Sequence, residues 1–499
     1  MSSVSRIIFD DMNEGEEKGE SDNHIVCKAS VGMTSHQAGL STLPLSVLLV
    51  VLQYADVASV VVLEQTCRYF REMLQQPSGK ETDGENVHSL SANEEITSVV
   101  WKSFYYERFQ NHSEKSLQAL LQNNVSFKSI YVTRHLAEKS ALKGLARLDS
   151  TTDETRLLYA ITHFVSIGRD LIDLCWRVWS GKNQNIPQMI PPCEDPSKSS
   201  FGRMYARSFL RLLHCTENLK DMRSFLQLRR ERNGSPVSLE SIEPNPEDCS
   251  DLEHLMALVA KNFYDFSQTS MEDTMSLFIK TTLDALANEV RRRLLGALER
   301  SDRSILDAVH YVLFKDKGDG GDKVLEPFVG NANNYYSHRN SLLHAVLEER
   351  KGIPLSLAIV YQSVASRVGL KVDIIGLPGH IVARVPSLNC YVDVFARGEL
   401  MTIDDCQRLV NQMGFAMNPA FLRPMIPELV ILRVLNNLEN ALNREGLSSS
   451  TNRQGAVVTA MRAVLHRPEE EQLEECHRLI ALTWVSDHVS MREDEWIEW

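Results

Sequence analysis

Two side chains in the sequence have the types and spacing of an acid–base pair. His380 follows the Pro378-Gly379 turn and opens a run rich in β-branched residues, HIVARV; Asp393 lies in the next such run, CYVDVF. Period-2 alternation puts Asp393 on one face with Tyr391 and Phe395 and turns Cys390 to the other. An imidazole oriented by a neighbouring carboxylate serves a nucleophile, and thiol-dependent acyl transfer asks for a Cys thiolate at a helix amino-terminus, where the dipole lowers its pKa. Cys390 and Cys406 read as packing or surface residues, and Ser356 offers a hydroxyl with no glycine-rich elbow around it.

Other candidates carry less chemistry. His338 and His344 are six positions apart, which does not stack two ligands on one helical face, so no metal site is expected from them with His380. The stretch KGDGGDK over 317–323 lacks a following Lys-Ser or Lys-Thr, and its acids would repel phosphate; it reads as a loop. Arg291 to Arg293 reads as the solvated face of a helix. No cofactor is implied.

The elements that must position the pair are helices leading into strands. The pattern predicts helices over 340–350 and 354–368, then strands in KVDIIGL, HIVARV and CYVDVF, separated by Pro-Gly and Pro-Ser turns. Helical periodicity returns after Asp404 and fills most of the chain before Gly330. The predicted class is mainly α: a helical module over 40–110 with an inserted polar loop at 75–98, a helical region over 127–300, an α+β core with a small antiparallel sheet over 301–410, and carboxy-terminal helices over 424–490. Residues 1–39, acidic and rich in Ser and Gly, read as a disordered tail.

Composition narrows the function. The chain has 499 residues, 53 Lys+Arg against 66 Asp+Glu, a net charge of −13 and so no electrostatic footprint for nucleic acid. Nine scattered cysteines with no Cys-x-x-Cys pair suit a reducing cytoplasm or nucleus. The most apolar stretch, Leu43 to Leu63, is broken by Gln53, Tyr54, Asp56 and Ser59, so no membrane span is expected.

Residues 331–395 also carry a longer pattern: Tyr336, Arg339-Asn340-Ser341, Val346-Leu347, Arg350, Gly352-Ile353-Pro354, Tyr361, Gly369-Leu370, Pro378-Gly379-His380, Asp393 and Phe395. It resembles the transglutaminase-like core of the bacterial SirB-one family, which also occurs in a class of eukaryotic F-box proteins, the F-box only protein twenty-one type. The resemblance implies that Pro354 stands where catalytic members of the superfamily place Cys, and hence a degenerate site made of Pro354, His380 and Asp393. Tyr336, Asn340, Arg350, Ser356, His380 and Tyr391 are then the candidate lining of a cleft that receives a target. The resemblance also implies tetratricopeptide-like helices after the core, opening with LVILRVLNNLENAL. No strand series follows for the small β-rich domain, similar to a bacterial hemimethylated-DNA-binding protein, that ends animal relatives.

The segment from Leu43 to Leu74 is similar to an F-box, through Leu43-Pro44, Val47-Leu48, Val51-Leu52, Tyr54, Asp56, Val60 and Cys67-Arg68-x-Phe70-Arg71. Ser46 and Ala55 depart from it, standing where an acidic residue and Leu are common. So short a helical segment cannot bury both faces on itself, and an exposed apolar stripe is a partner site. The resemblance supplies the partner, the Skp adaptor and through it a cullin, with Leu43, Pro44, Val47, Leu48, Val51, Leu52, Tyr54, Cys67 and Phe70 as contacts. The expectation is a non-catalytic substrate-recognition subunit of a ubiquitin ligase, binding a protein target of unknown identity. An amide-directed hydrolase or acyltransferase using His380 and Asp393 is the alternative.

Overall fold

The computed structural model describes residues 51–52, 55, 57–66, 87–109, 114–123, 125–148, 153–181, 195–233, 248–263, 271–295, 300–315, 326–446, 448–466 and 470–490. The tail 1–39, the stretch 317–323, the chain end 491–499, and Leu43, Pro44, Val47, Leu48, Tyr54, Cys67 and Phe70 lie outside the described residues. The protein is mainly helical, with one small antiparallel sheet.

The chain forms two compact units, 1–213 and 214–499. In the first, α1 (Val57–Thr66), α2 (Val87–Arg108), α3 (Glu114–Gln122), α4 (Phe127–Ala146), α5 (Glu154–Ile167) and α6 (Ile172–Ser180) follow one another. The core of its first part gathers Leu52, Val60, Val61, Trp101, Phe104, Tyr105, Phe109 and Tyr131. Behind it Glu138, fully buried, accepts from Arg108 at 2.8 Å and from Arg177, and Arg134 reaches Asp173 at 3.2 Å. Removing either side of so buried a pair would strand a charge.

Two expectations change. The polar stretch 75–98 is not a loop throughout, because residues 87–98 form the first turns of α2. No Gly or Pro interrupts 87–108, and the buried Trp101, Phe104 and Tyr105 anchor the helix that these turns extend. The helical stretch 127–300 is also not one region: the division between units falls inside the 34-residue α7 (Ser200–Asn233). The physical reason lies near the end of α7. There Arg229 is buried within the second unit against Glu428 at 2.7 Å, Asp248 at 2.5 Å and Asp251. These carboxylates raise its pKa against the opposing effect of burial.

The second unit continues with α8 (Asp248–Lys261), α9 (Met271–Leu294) and α10 (Asp302–Phe314), and then the mixed region. There β1 (Val329–Gly330) pairs parallel with β2 (Lys351–Gly352), α11 (Leu343–Glu349) lies between them, and α12 (Pro354–Arg367) follows. α12 is apolar nearly all round and its side chains from Pro354 to Tyr361 are buried, the pattern of a central helix. The sheet runs β3 (Asp373–Leu377), β4 (His380–Val385), β5 (Cys390–Asp393) and β6 (Glu399–Met401), all antiparallel and joined in chain order. α13 (Ile403–Gln412) sets Cys406 and Val410 against Ile375, Leu377, Val382 and Tyr391. α14 (Pro427–Glu445), α15 (Ser449–His466) and α16 (Glu470–Ser490) then pack each on the next.

Candidate functional site

The sheet brings the predicted pair together. His380 opens β4, Asp393 closes β5, and the register Ala383↔Val392 leaves them one diagonal step apart. His380 Nε2 lies 2.9 Å from Asp393 Oδ2, and the side chains keep only 16% and 15% exposure. The other oxygen, Oδ1, accepts the backbone N–H groups of Phe395 at 2.9 Å and Ala396 at 3.1 Å. Burial pushes the Asp393 carboxyl up, but the hydrogen bond and charge of His380 and the two N–H donors outweigh it and hold the group below its ordinary value. Gly379 makes the turn into β4 at φ 72°, and a Cβ there would stand 3.2 Å from the Met413 sulfur.

The amino-terminus of α12 is built differently. Pro354 occupies the first helical position, with neither thiol nor hydroxyl. Ser356 is 1% exposed and its hydroxyl is used twice, accepting from the Ile353 N–H and donating to the Ile353 carbonyl, both at 3.1 Å. A Cβ on Gly352 would stand 2.6 Å from Ser356 Oγ, so the chain closes tightly over it. The ring of Phe395 packs on Gly330, whose strand partner is Gly352. That contact carries the Asp393 end of the sheet to the start of α12.

The remaining residues read as cleft lining divide by role. Asn340 is 1% exposed and fully engaged, donating to the carbonyls of Asn334 at 2.6 Å and Tyr335 at 3.0 Å and accepting from Asn331 at 2.9 Å. Arg350 is buried in the left-handed region, stacks over Phe328 and donates to the Glu326 carbonyl at 2.9 Å. Burial lowers its pKa with little compensation from Glu326. Both shape the backbone. Tyr391 is buried on the α13 side, whereas Tyr336 is half-exposed with the Arg444 guanidinium 3.7 Å over its ring. In the first unit Leu52 is buried in that unit's own core while Val51 and Val62 are exposed. Leu52 therefore supports the segment from within.

The shifted pKa values of Cys175, Cys249, Cys390, Cys406 and Cys476 all rise, chiefly through burial, with Cys249 and Cys406 reaching about 11. Burial lowers His310 and His344 to about 4; His310 meets the Tyr361 hydroxyl at 2.9 Å. Among the described residues no group of three or more His, Cys, Asp or Glu could hold a metal ion, and no helix is long and apolar enough to cross a membrane. Two further residues meet chain neighbours of the pair: Met413 stands beside Gly379, and Tyr335 lies edge-on to Phe395. The pair offers polar atoms that can hydrogen-bond a bound amide.

Residues 278–436 match the transglutaminase-like superfamily, a span wider than the predicted 301–410 that takes in most of α9 and half of α14. The chain thus carries a transglutaminase-like domain. Among particular proteins, it is 30% identical to F-box only protein 21 of Mus musculus and of Homo sapiens over 156 residues, 29% of this chain and 23% of each of those. It is also 32% identical over 191 residues to a UPF0162 protein of Xylella fastidiosa, 37% of this chain and 62% of that one. The matched region thus spans about a quarter of the F-box relatives' length. No solved structure matches.

Proposed function

We propose that this chain is a substrate-recognition subunit of a Skp/cullin/F-box ubiquitin ligase, in which the transglutaminase-like domain binds a target protein without bond-making of its own. The observation that carries the reading is the site itself: a built His380–Asp393 pair on a sheet that packs against α12, whose start holds Pro354 and a Ser356 with its hydroxyl already engaged. The name of the relatives at 30% identity supports the ubiquitin-ligase context, as does the F-box-like pattern from Leu43 to Phe70. Catalysis in such a ligase comes from effective concentration: a target held on the domain meets a ubiquitin-loaded conjugating enzyme held elsewhere in the assembly. A hydrolase or acyltransferase reading draws on the His380–Asp393 bond alone.

Affinity purification of the full chain beside a Val51→Asp, Val62→Asp variant tests the proposal. Both positions are exposed, so the core around Leu52 stays intact and stability changes by less than about 0.5 kcal/mol. The expected result is that the Skp adaptor and a cullin co-elute with the wild type and are lost from the variant, while the proteins still retained are target candidates. Absence of both from the wild-type eluate would overturn the receptor assignment.

A further inference from the structure

The segment between β1 and the turn at His338–Ser341 is held in an unusual way. Asn340 fixes its stem from inside through the carbonyls of Asn334 and Tyr335. Its tip carries two adjacent tyrosines in edge-to-face contact, centroids 5.3 Å apart, with Tyr335 39% and Tyr336 51% exposed. The outer side of the tip is gripped by the last turn of α14. Arg444 lies over the Tyr336 ring at 3.7 Å, and Glu445 Oε1 accepts from His338 twice, at 2.6 Å from Nδ1 and 3.3 Å from the backbone N–H. The ring of Phe263, just beyond α8, stacks near that imidazole at 6.3 Å. On its inner side the tip meets Phe395, with the Tyr335 ring edge-on at 6.2 Å, and Phe395 donates its backbone N–H to Asp393.

We infer that the Tyr335–Tyr336 tip is a movable wall of the His380–Asp393 site, and that Arg444 and Glu445 at the end of α14 clasp it in the closed position. The inference rests on the reading of this site as one that receives a target segment. The asymmetry of the attachments is what makes it a device. The stem is held by the buried Asn340, whose amide would be stranded if released. The clasp is a cation–π contact and a hydrogen bond from His338 to Glu445, whose side chains keep 26% and 34% exposure, of the kind that forms and breaks without disturbing a core. Whatever displaces the last turn of α14 therefore frees Tyr335 from Phe395, whose backbone holds Asp393, and in this proposal opens the way to His380; a target whose aromatic or apolar side chain replaces Tyr335 against Phe395 gains the same access. Arg444 and Glu445 are positioning residues, since neither touches the pair.

Diethyl pyrocarbonate labelling of the full-length chain, read by peptide mass spectrometry, tests the device. His380 is the reporter and the exposed His466 is the internal reference. Three variants are compared with the wild type: Arg444→Met with Glu445→Gln cuts the clasp, Tyr336→Leu removes the cation–π face without touching α14, and Tyr335→Ala removes the wall. The expected result is a severalfold rise of the His380 to His466 labelling ratio in all three. A rise with Tyr335→Ala alone would overturn control by α14, and no rise with Tyr335→Ala would overturn the wall. Should the double variant not fold, Tyr336→Leu decides the clasp by the same ratio. Adaptor co-purification is independent of this ratio, so failure here and failure of the receptor reading are distinguishable.

Discussion

The Asp393 end of the sheet and the amino-terminus of α12 face the same chemical problem with opposite solutions. At the sheet, both carboxylate oxygens of Asp393 are engaged, one by the His380 imidazole and the other by two backbone N–H groups. At the helix, a proline holds the first position, and the Ser356 hydroxyl is spent on the backbone of the same turn. An acid–base pair is expensive to keep half-buried unless its partners are in place. In the role proposed above that support serves orientation and recognition, with Pro354 supplying neither thiol nor hydroxyl at the helix start.

The largest effect comes from the helix start. Pro354→Cys puts a thiol at the first position of a 14-residue helix, where dipole and imidazole together lower its pKa. Its alkylation by iodoacetamide at pH 6.5 is expected to run at least about tenfold faster than in Pro354→Cys with His380→Ala. Equal rates would mean that the pair does not serve the helix start, and the contrast between the two regions would dissolve. A smaller effect sharpens the helix side. Ser356→Ala leaves the buried Ile353 N–H without its partner and should cost about 1–3 kcal/mol by chemical denaturation, whereas a nucleophilic serine not engaged with the backbone would be replaced at little cost.

The smallest effect concerns the sheet side and depends on pH. The Asp393 carboxyl titrates below its ordinary value in the folded chain, so its contribution is present above the unfolded value, near 3.9, and is lost as pH falls through the folded one. Between pH 6 and 4 the wild type and Asp393→Asn should lose stability in parallel. Below about pH 4 the wild type should fall more steeply, as its Asp393 takes up the proton that the variant cannot bind. Parallel curves over the whole range would mean that the carboxylate is not held ionised by its partners.

Much of the sheet was legible in the sequence because its signals are local. A Pro-Gly turn and β-branched runs mark β4 and β5, and alternation predicts which residues share a face. β1, β2 and β6, of two or three residues each, are too short for any periodic signal and form only where other segments meet them. The site was legible in its His380–Asp393 pair and not in its lining. Asn340, Arg350 and Ser356 look like exposed polar chemistry in a string of letters, yet each is buried against a backbone group that only the folded chain supplies. Val51 and Leu52 differ in the same way, since an all-apolar run does not say which side chain turns inward. Glu445 lies 107 positions from His338, a separation at which sequence carries no signal.

Mapping the sites of covalent labelling by a serine-directed fluorophosphonate and a cysteine-directed acylating probe, in the wild-type chain beside His380→Ala, tests the central claim most directly. The account predicts no labelling at Ser356, Cys390 or Cys406 that depends on His380. Labelling at any of these three, lost on His380→Ala, would contradict it and make the domain an enzyme.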